Sequence, residues 1–412
     1  MKLTRSFLIV ASIFMMIGVP STTRGDVVTD WNQIGITAMV SAGRGQAPMY
    51  PDLAYEHIAI YDAVNAIDGR YTPFAVQPSS VPAGASEEAA AISAAYTVLI
   101  TIYPTQAGYL NAQYAASLAA IPDGTPKTDG INLGHNVALA FLASRADDGR
   151  DAIVPFVFHS GPGAWVPPAP GITAPNFPWL PYMRPFAMQS PSQFRADPPP
   201  SLDSLQYAED FNEVKSLGAI NSSTRTPEQT EIANFYFDHG PKQTGRVVRN
   251  IAAENLLSTS DSARLFAMFY VALADASIAA WDSKSYYQRW RPITAIRNAD
   301  IDGNPDTVAD PTWTPLQPTP NHPDYVSAHG ANWGAFTEAL RQFFGTRQVH
   351  ITETSDVTGT THVFNNIDDL RRELINARVY IGYHTRTATV EGVVMGSKIG
   401  RYTAKNYFQP TN

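Results

Sequence analysis

Pro323-Asp324-Tyr325-Val326-Ser327-Ala328-His329-Gly330-Ala331-Asn332-Trp333-Gly334 is a loop turning into a helix. From Gly330 to Phe344 the apolar residues Trp333, Phe336, Leu340 and Phe344 recur at spacings of three and four, the helical period. Ser327 stands where an N-cap belongs, so the amides that follow it point out of the helix start. Free N–H groups and the helix dipole make such a terminus receptive to an anion. His329, in the first turn, could exchange a proton with whatever binds there. Alone, a Ser-x-His is usually a cap and a surface histidine.

Working outward, the same period covers most of the chain. Tyr50 to Ile67 carries a continuous apolar face, with Pro51 suited to a first helical turn. Ser86 to Tyr103 opens with Glu87 and Glu88, and Gln106 to Ala120 and Gly130 to Arg145 repeat the pattern. Further helices are predicted over Ser204–Ser216, Thr226–Asp238, Val247–Leu257, Ser260–Tyr287, Ile367–Tyr383 and Thr389–Tyr407. Gln348 to Phe364, alternating and threonine-rich, reads as one small hairpin. Phe156 to Pro200 has no period but many prolines and aromatics, which predicts a long ordered loop over the helices. Ile301 to Tyr325 is a second Pro-rich loop. The prediction is an all-α bundle with long loops.

With 412 residues, 44% hydrophobic and 16% charged, the chain can bury a large core. A net charge of −8 argues against a nucleic-acid surface. The absence of cysteine excludes disulfides and a thiol nucleophile. Residues 1–25 have the build of a signal peptide: a basic start at Lys2 and Arg5, an apolar run from Phe7 to Val19, and small residues at Thr23 and Gly25. The mature chain is then expected from about Asp26, secreted or periplasmic, with no further run long enough to span a membrane. Residues 26–200 form an N-terminal helical region with the Pro-rich loop. Residues 201–412 form a helical core carrying the site, and the two are expected to make one compact domain.

Three cationic features stand out in that core. Lys284 and Arg291 lie seven residues apart, two helical turns if the helix persists, and Pro292 biases Arg291 out of the helix. Such a pair ordinarily makes a solvated basic face. Arg378 sits on the apolar stripe Ile367, Leu370, Leu374, Arg378, Ile381. A guanidinium there needs an anionic partner, either an acidic side chain or a bound ion. His384 follows six residues on, beside Gly382. Three cations, a helix start and two histidines together could hold a tetrahedral oxyanion and move protons at it.

Lys284…Arg291-Pro292, Ser327-Ala328-His329 and Arg378…His384, in that order, resemble the three-part signature shared by vanadium-dependent haloperoxidases and type 2 phosphatidic-acid phosphatases. Arg291 and Ser327 are 36 positions apart, and Ser327 and Arg378 are 51. The stretches around Ala272–Lys284, Trp290–Arg297 and His57–Ile67 are similar to the bacterial haloperoxidase-like branch. The resemblance implies a helical bundle and a vanadate cofactor attached to His384, the sole metal ligand. Lys284, Arg291, Ser327, the Ala328 amide and Arg378 would bind the vanadate oxygens. His329 would be the acid/base for hydrogen peroxide, with a halide and a small organic acceptor as further substrates and an oligomer possible. In the phosphatases the same pocket takes phosphate, the His384 counterpart being the nucleophile. A non-catalytic oxyanion-binding protein is the remaining reading. Trp281 and His322 fall where haloperoxidases line the halide space, and histidine at the second position implies bromide or iodide over chloride. Three positions depart from the family pattern: Ala328 for Gly, Ala377 for Ser, and Ala388 for an Asp that supports the last histidine. Glu391 or Asp282 are the candidates to replace that Asp.

Overall fold

The computed structural model describes residues 26–411; the expected signal segment, residues 1–25, lies outside them. Thirteen α-helices are present among the described residues. In chain order they are α1 (Val27–Ser41), α2 (Gln46–Asp68), α3 (Glu87–Ile102), α4 (Ala107–Ala119), α5 (Thr125–Ser144), α6 (Leu205–Leu217) and α7 (Pro227–Phe235). They continue as α8 (Gly240–Glu254), α9 (Thr259–Tyr287), α10 (Pro292–Arg297), α11 (Ala328–Phe344), α12 (Ile367–Tyr380) and α13 (Arg386–Asn406). The predicted hairpin is β1 (Ile351–Thr354) paired antiparallel with β2 (Thr361–Phe364), Ile351 opposite Phe364. The fold is all-α, as the helical period predicts.

The starts of several helices follow local chemistry. The side chains of Ser86, Ser204, Thr226, Ser258, Ser327 and Thr385 each accept a backbone N–H in the first turn. Several boundaries differ from the prediction: α8, for instance, begins at Gly240 and not at Val247. Pro51 lies inside α2, because that helix already begins at Gln46. Helix α5 begins at Thr125, where Pro126 supplies the preset first turn.

Helix α9 is the central rod, buried on nearly every face from Leu265 to Lys284. The expectation that no run beyond the N-terminus reaches membrane length needs correcting here. By length and composition α9 qualifies, with a mean hydropathy of 1.5 over its most apolar window, but 94% of that window is buried inside the fold. Its hydrophobicity is spent on neighbouring helices. One continuous hydrophobic cluster runs from Val28 on α1 through α9 to Phe408.

The loop from Phe156 to Pro200 is ordered as its aromatics predict, and buried charges tie it down. Asp275 of α9 accepts the backbone N–H groups of Phe186, Ala187 and Met188 at 2.7–2.8 Å. Burial raises the Asp275 carboxyl to about 6, while those three donors favour its ionised form. Arg145 at the end of α5 donates to the carbonyls of Arg184 and Pro185. The loop is thereby fixed against α9 and the end of α5, and its Asn176 and Phe177 line the site's cavity.

Candidate active site

The site gathers at the starts of α11 and α13, and small residues bring these two helices together. A Cβ on Gly392 would lie 2.6 Å from the Ser327 carbonyl oxygen, and one on Gly330 would lie 2.6 Å from that of Thr389. Only glycines allow that approach. It places the two helix starts side by side, and the Ser327 N–H donates to the Ala388 carbonyl at 2.9 Å. Gly382, at φ +79°, then turns the chain between α12 and α13 so that Arg378 and His384 face one cavity.

Lys284 and Arg291 also converge, across the corner that Pro292 predicts and not along one continuous helix. Helix α9 stops at Tyr287, with Gln288 in the left-handed conformation, and Arg291 is the extended residue preceding α10. The chain therefore turns a corner, as Pro292 requires. The Lys284 ammonium donates to the carbonyls of Pro323 (2.5 Å) and Asp324 (3.0 Å), and Arg291 Nε donates to the His322 carbonyl at 2.7 Å. Both cations thus hold the segment that leads into Ser327.

Arg291 extends to His384: its Nη1 lies 3.1 Å from the His384 Nε2 and donates to the Tyr383 carbonyl at 2.8 Å. Arg378 donates to the Tyr236 carbonyl at 3.1 Å and stacks over the Tyr383 ring, while its buried Nε has no partner. Among the described residues Arg378 makes no ion pair with a carboxylate, which resolves the choice left open by its place on the apolar stripe. A bound anion is the partner still available. Ser327, fully buried, accepts the Gly330 N–H at 3.2 Å and keeps its own proton to donate. Ala328 has no positive φ, so replacing Gly leaves its amide in the ordinary first turn.

One residue was missed from the sequence. Asp324 Oδ1 lies 2.5 Å from His384 Nδ1, both groups being almost fully buried. The carboxylate accepts from Nδ1–H, which leaves Nε2 as the lone-pair nitrogen facing Arg291 and the cavity. Asp324 therefore occupies the role for which Ala388 is unfit. The two sequence candidates for that role are not used: Asp282 is held in a fork by Arg195 at 2.7 and 2.8 Å, and Glu391 does not bond His384. Ala388 is instead a buried residue whose carbonyl serves Ser327.

Three basic side chains, Lys284, Arg291 and Arg378, crowd around the single carboxylate of Asp324. Burial, then the neighbouring cations, pushes Lys284 well down and holds Arg378 at about 10. Burial brings Arg291 to about 10, opposed by the Asp324 charge. Burial also raises Asp324, to about 6, against the pull of Arg291 and Lys284. His329 and His384 are pressed far below their usual range by burial and the surrounding cations, so both imidazoles are neutral. The His329 Nε2 is buried without a partner. An oxyanion would reverse this cost for every member at once.

A cavity of about 460 Å³ opens over these groups, reached by His329, His384, Arg378, Trp281 and His322. Trp281 and His322 pack 5.2 Å apart between ring centres. His322 is bonded to Arg291 Nη2 at 3.0 Å and kept neutral by burial and by the charges of Lys284 and Arg291. The far wall comes from the other half of the chain, through Gln46, Tyr50, Asn176 and Phe177.

Comparisons with known proteins agree with this architecture. The chain superimposes on a bacterial vanadium-dependent iodoperoxidase with a TM-score of 0.80, covering 94% of this chain and 97% of that one at 22% identity. The chain has the vanadium haloperoxidase fold. Apo and holo structures of a bacterial vanadium-dependent chloroperoxidase match with TM-scores of 0.70, at 17% and 18% identity, over 94% and 93% of this chain and 95% and 92% of theirs. Residues 264–412, which include all three signature segments, match the VCPO second helical-bundle domain. Vanadium chloroperoxidase of Curvularia inaequalis is 29% identical over 195 residues, 39% of this chain. That match spans about a third of the length of that protein, 31%.

Proposed function

We propose that the protein is an exported vanadate-dependent haloperoxidase that oxidises bromide or iodide with hydrogen peroxide. The observation that carries the reading is the buried, basic pocket in which a histidine Nε2 is presented by a buried carboxylate. The donor set fits vanadate: Arg378 Nε and His329 Nε2 are buried without partners, and the surplus positive charge suits an oxyanion. His384 would hold the vanadium, and Lys284, Arg291, Arg378, the Ser327 hydroxyl and the Ala328 amide would bind its oxygens. Bound vanadate supplies a Lewis-acidic centre that activates peroxide toward oxidation of a halide.

The protein's own groups do the rest. Neutral His329, its Nε2 turned to the cavity, accepts a proton from peroxide and returns one to the departing water. Asp324 fixes the His384 tautomer, so that a lone pair and not an N–H faces the anion. Over the cycle, peroxide, halide and one proton give hypohalous acid and water. His322 stays neutral and hydrogen-bonded to Arg291, a polar neighbour that draws on the charge Arg291 would otherwise offer the anion. That favours the more easily oxidised halides, bromide and iodide.

A second reading retains support from Asp324. A carboxylate behind His384 would equally support a phosphohistidine, so the loss of the family Asp at Ala388 does not weigh against an acid phosphatase. The purified protein, given orthovanadate, peroxide and bromide in one assay and an aryl phosphate in another, decides between them. Halide oxidation without phosphatase activity is expected. Phosphate release with no halide oxidation would replace the first reading by the second, and neither activity would leave an oxyanion-binding protein.

A further inference from the structure

The cavity over the site is larger than peroxide and a halide need. A water's share of liquid volume is about 30 Å³, and those two substrates have only a few heavy atoms between them. The cavity holds about 460 Å³, within the range of about 300–1,000 Å³ typical of pockets for organic ligands. Its outer part is walled by flat rings. Phe177 lies 6.1 Å from Trp281 between ring centres, and Phe237, 39% exposed, stands at the mouth.

Phe177 is placed there at some cost. It adopts φ +58°, a left-handed conformation unfavourable for a bulky side chain. The flanking bonds over-determine it: Trp281 Nε1 donates to the Asn176 carbonyl at 2.9 Å, and the Asn176 N–H donates to the Asn321 carbonyl at 2.8 Å. Its ring occupies the space left by Gly45 at the start of α2, where a Cβ would collide with the ring. A strained aromatic, held through both backbone groups of Asn176 and facing a cavity, is a shaped wall of that cavity. The cavity floor is cationic through Arg378, and the one carboxylate at the rim, Asp238, is already paired with Arg246.

We infer that the outer cavity is a binding subsite for a neutral or anionic aromatic acceptor of the phenol class, its ring against Phe177 and its oxygen toward Arg378. The inference rests on the haloperoxidase reading for the chemistry that follows binding, though not for binding itself. In that chemistry hypohalous acid gives its halogen to a ring carbon as the O–X bond breaks. The C–H bond then breaks, and its proton joins the released hydroxide as water. A flat hydrophobic wall suits a planar ring over a puckered one, and the floor repels ammonium groups.

The binding arm uses the purified protein without vanadate or peroxide, titrated with phenol, cyclohexanol and benzylamine by tryptophan fluorescence and saturation-transfer NMR. Phenol should bind about three- to tenfold more tightly than cyclohexanol, with benzylamine weakest, and Phe177→Leu should remove about that advantage. Phe237→Ala, at a partly exposed position, provides a second weakening variant if Phe177→Leu loosens the loop. The second arm compares the ortho-to-para ratio of bromophenols made by the enzyme with that from reagent hypobromous acid. The enzyme ratio should differ, and Phe177→Leu should move it toward the reagent value. Equal affinity for phenol and cyclohexanol, or a product ratio matching the reagent and unmoved by Phe177→Leu, would overturn the subsite. Failure to oxidise bromide would overturn the haloperoxidase reading while leaving the binding arm standing.

Discussion

Replacing Arg378 with methionine should abolish tight oxyanion binding without unfolding the protein. Arg378 is 2% exposed, has no carboxylate partner, and keeps a buried Nε unbonded. Its folded-state pKa is lowered to about 10, mainly by desolvation. Because the folded value is the lower one, the folded chain holds the charge less well than the unfolded chain. That cost is fully present below about pH 10 and fades only as pH rises through the higher unfolded-state value. At neutral pH it amounts to about 3 kcal/mol, from about 1.4 kcal/mol per pKa unit. Methionine removes this cost but leaves the Tyr236 carbonyl without its donor, worth about 1–3 kcal/mol. The two nearly cancel, so the anion-free variant should unfold close to the wild-type midpoint. Losing one partner of a buried charge pair costs about 2–5 kcal/mol in binding, which is about 30-fold to a few thousand-fold in affinity for vanadate or phosphate. Denaturant unfolding of both proteins, with and without phosphate, reads both quantities. A variant that binds the anion as tightly as wild type would refute the reasoning. So would a loss of 3–5 kcal/mol in the anion-free fold, the signature of a broken structural ion pair.

Three further outcomes follow from the geometry. Asp324→Ala should fold and still bind anion but lose about 10- to 100-fold in turnover, measured by steady-state halide oxidation; unchanged turnover would remove Asp324 from its positioning role. His322→Phe should raise the rate with chloride relative to bromide at mildly acidic pH, and a variant matching wild type would show that this imidazole does not set selectivity. His362 lies between Glu373 (2.7 Å) and Glu231 (3.1 Å), joining β2 to α12 and α7, and those partners raise its pKa against the opposing effect of burial. A raised folded value means its stabilisation is complete below about 6.5 and is lost as pH climbs through the folded pKa. His362→Gln should therefore lower the thermal midpoint most below about pH 6.5 and matter least once pH exceeds the raised folded pKa, read from melting curves across pH.

Much of this was legible in the sequence because local chemistry marks it. Ser327 stands before a clean apolar period, so its cap and the N-terminal amides follow. Arg378 interrupts an apolar stripe, which betrays a buried charge. Asp324 carries no such mark: between Pro323 and Tyr325 it looks like a turn former, and only the fold brings it to His384, sixty residues away. The same holds for Gln46, Tyr50 and Phe177, which face the cavity from helices and loops with no motif of their own. The corner between Lys284 and Arg291 was legible from Pro292, but not that the two cations meet through the carbonyls of residues 322–324. The membrane-length run in α9 was overlooked because hydrophobicity alone does not say whether lipid or protein will cover it.

The central claim is that one vanadate, held at His384, makes this pocket an oxidant of halides. Vanadium per chain, measured by elemental analysis after loading with orthovanadate and removal of the excess, tests it most directly when bromide oxidation is assayed on the same samples. Wild type should retain one vanadium per chain with activity proportional to occupancy, and His384→Ala should lose both. Retention of vanadium by His384→Ala, or full occupancy in the wild type with no bromide oxidation, would contradict the account.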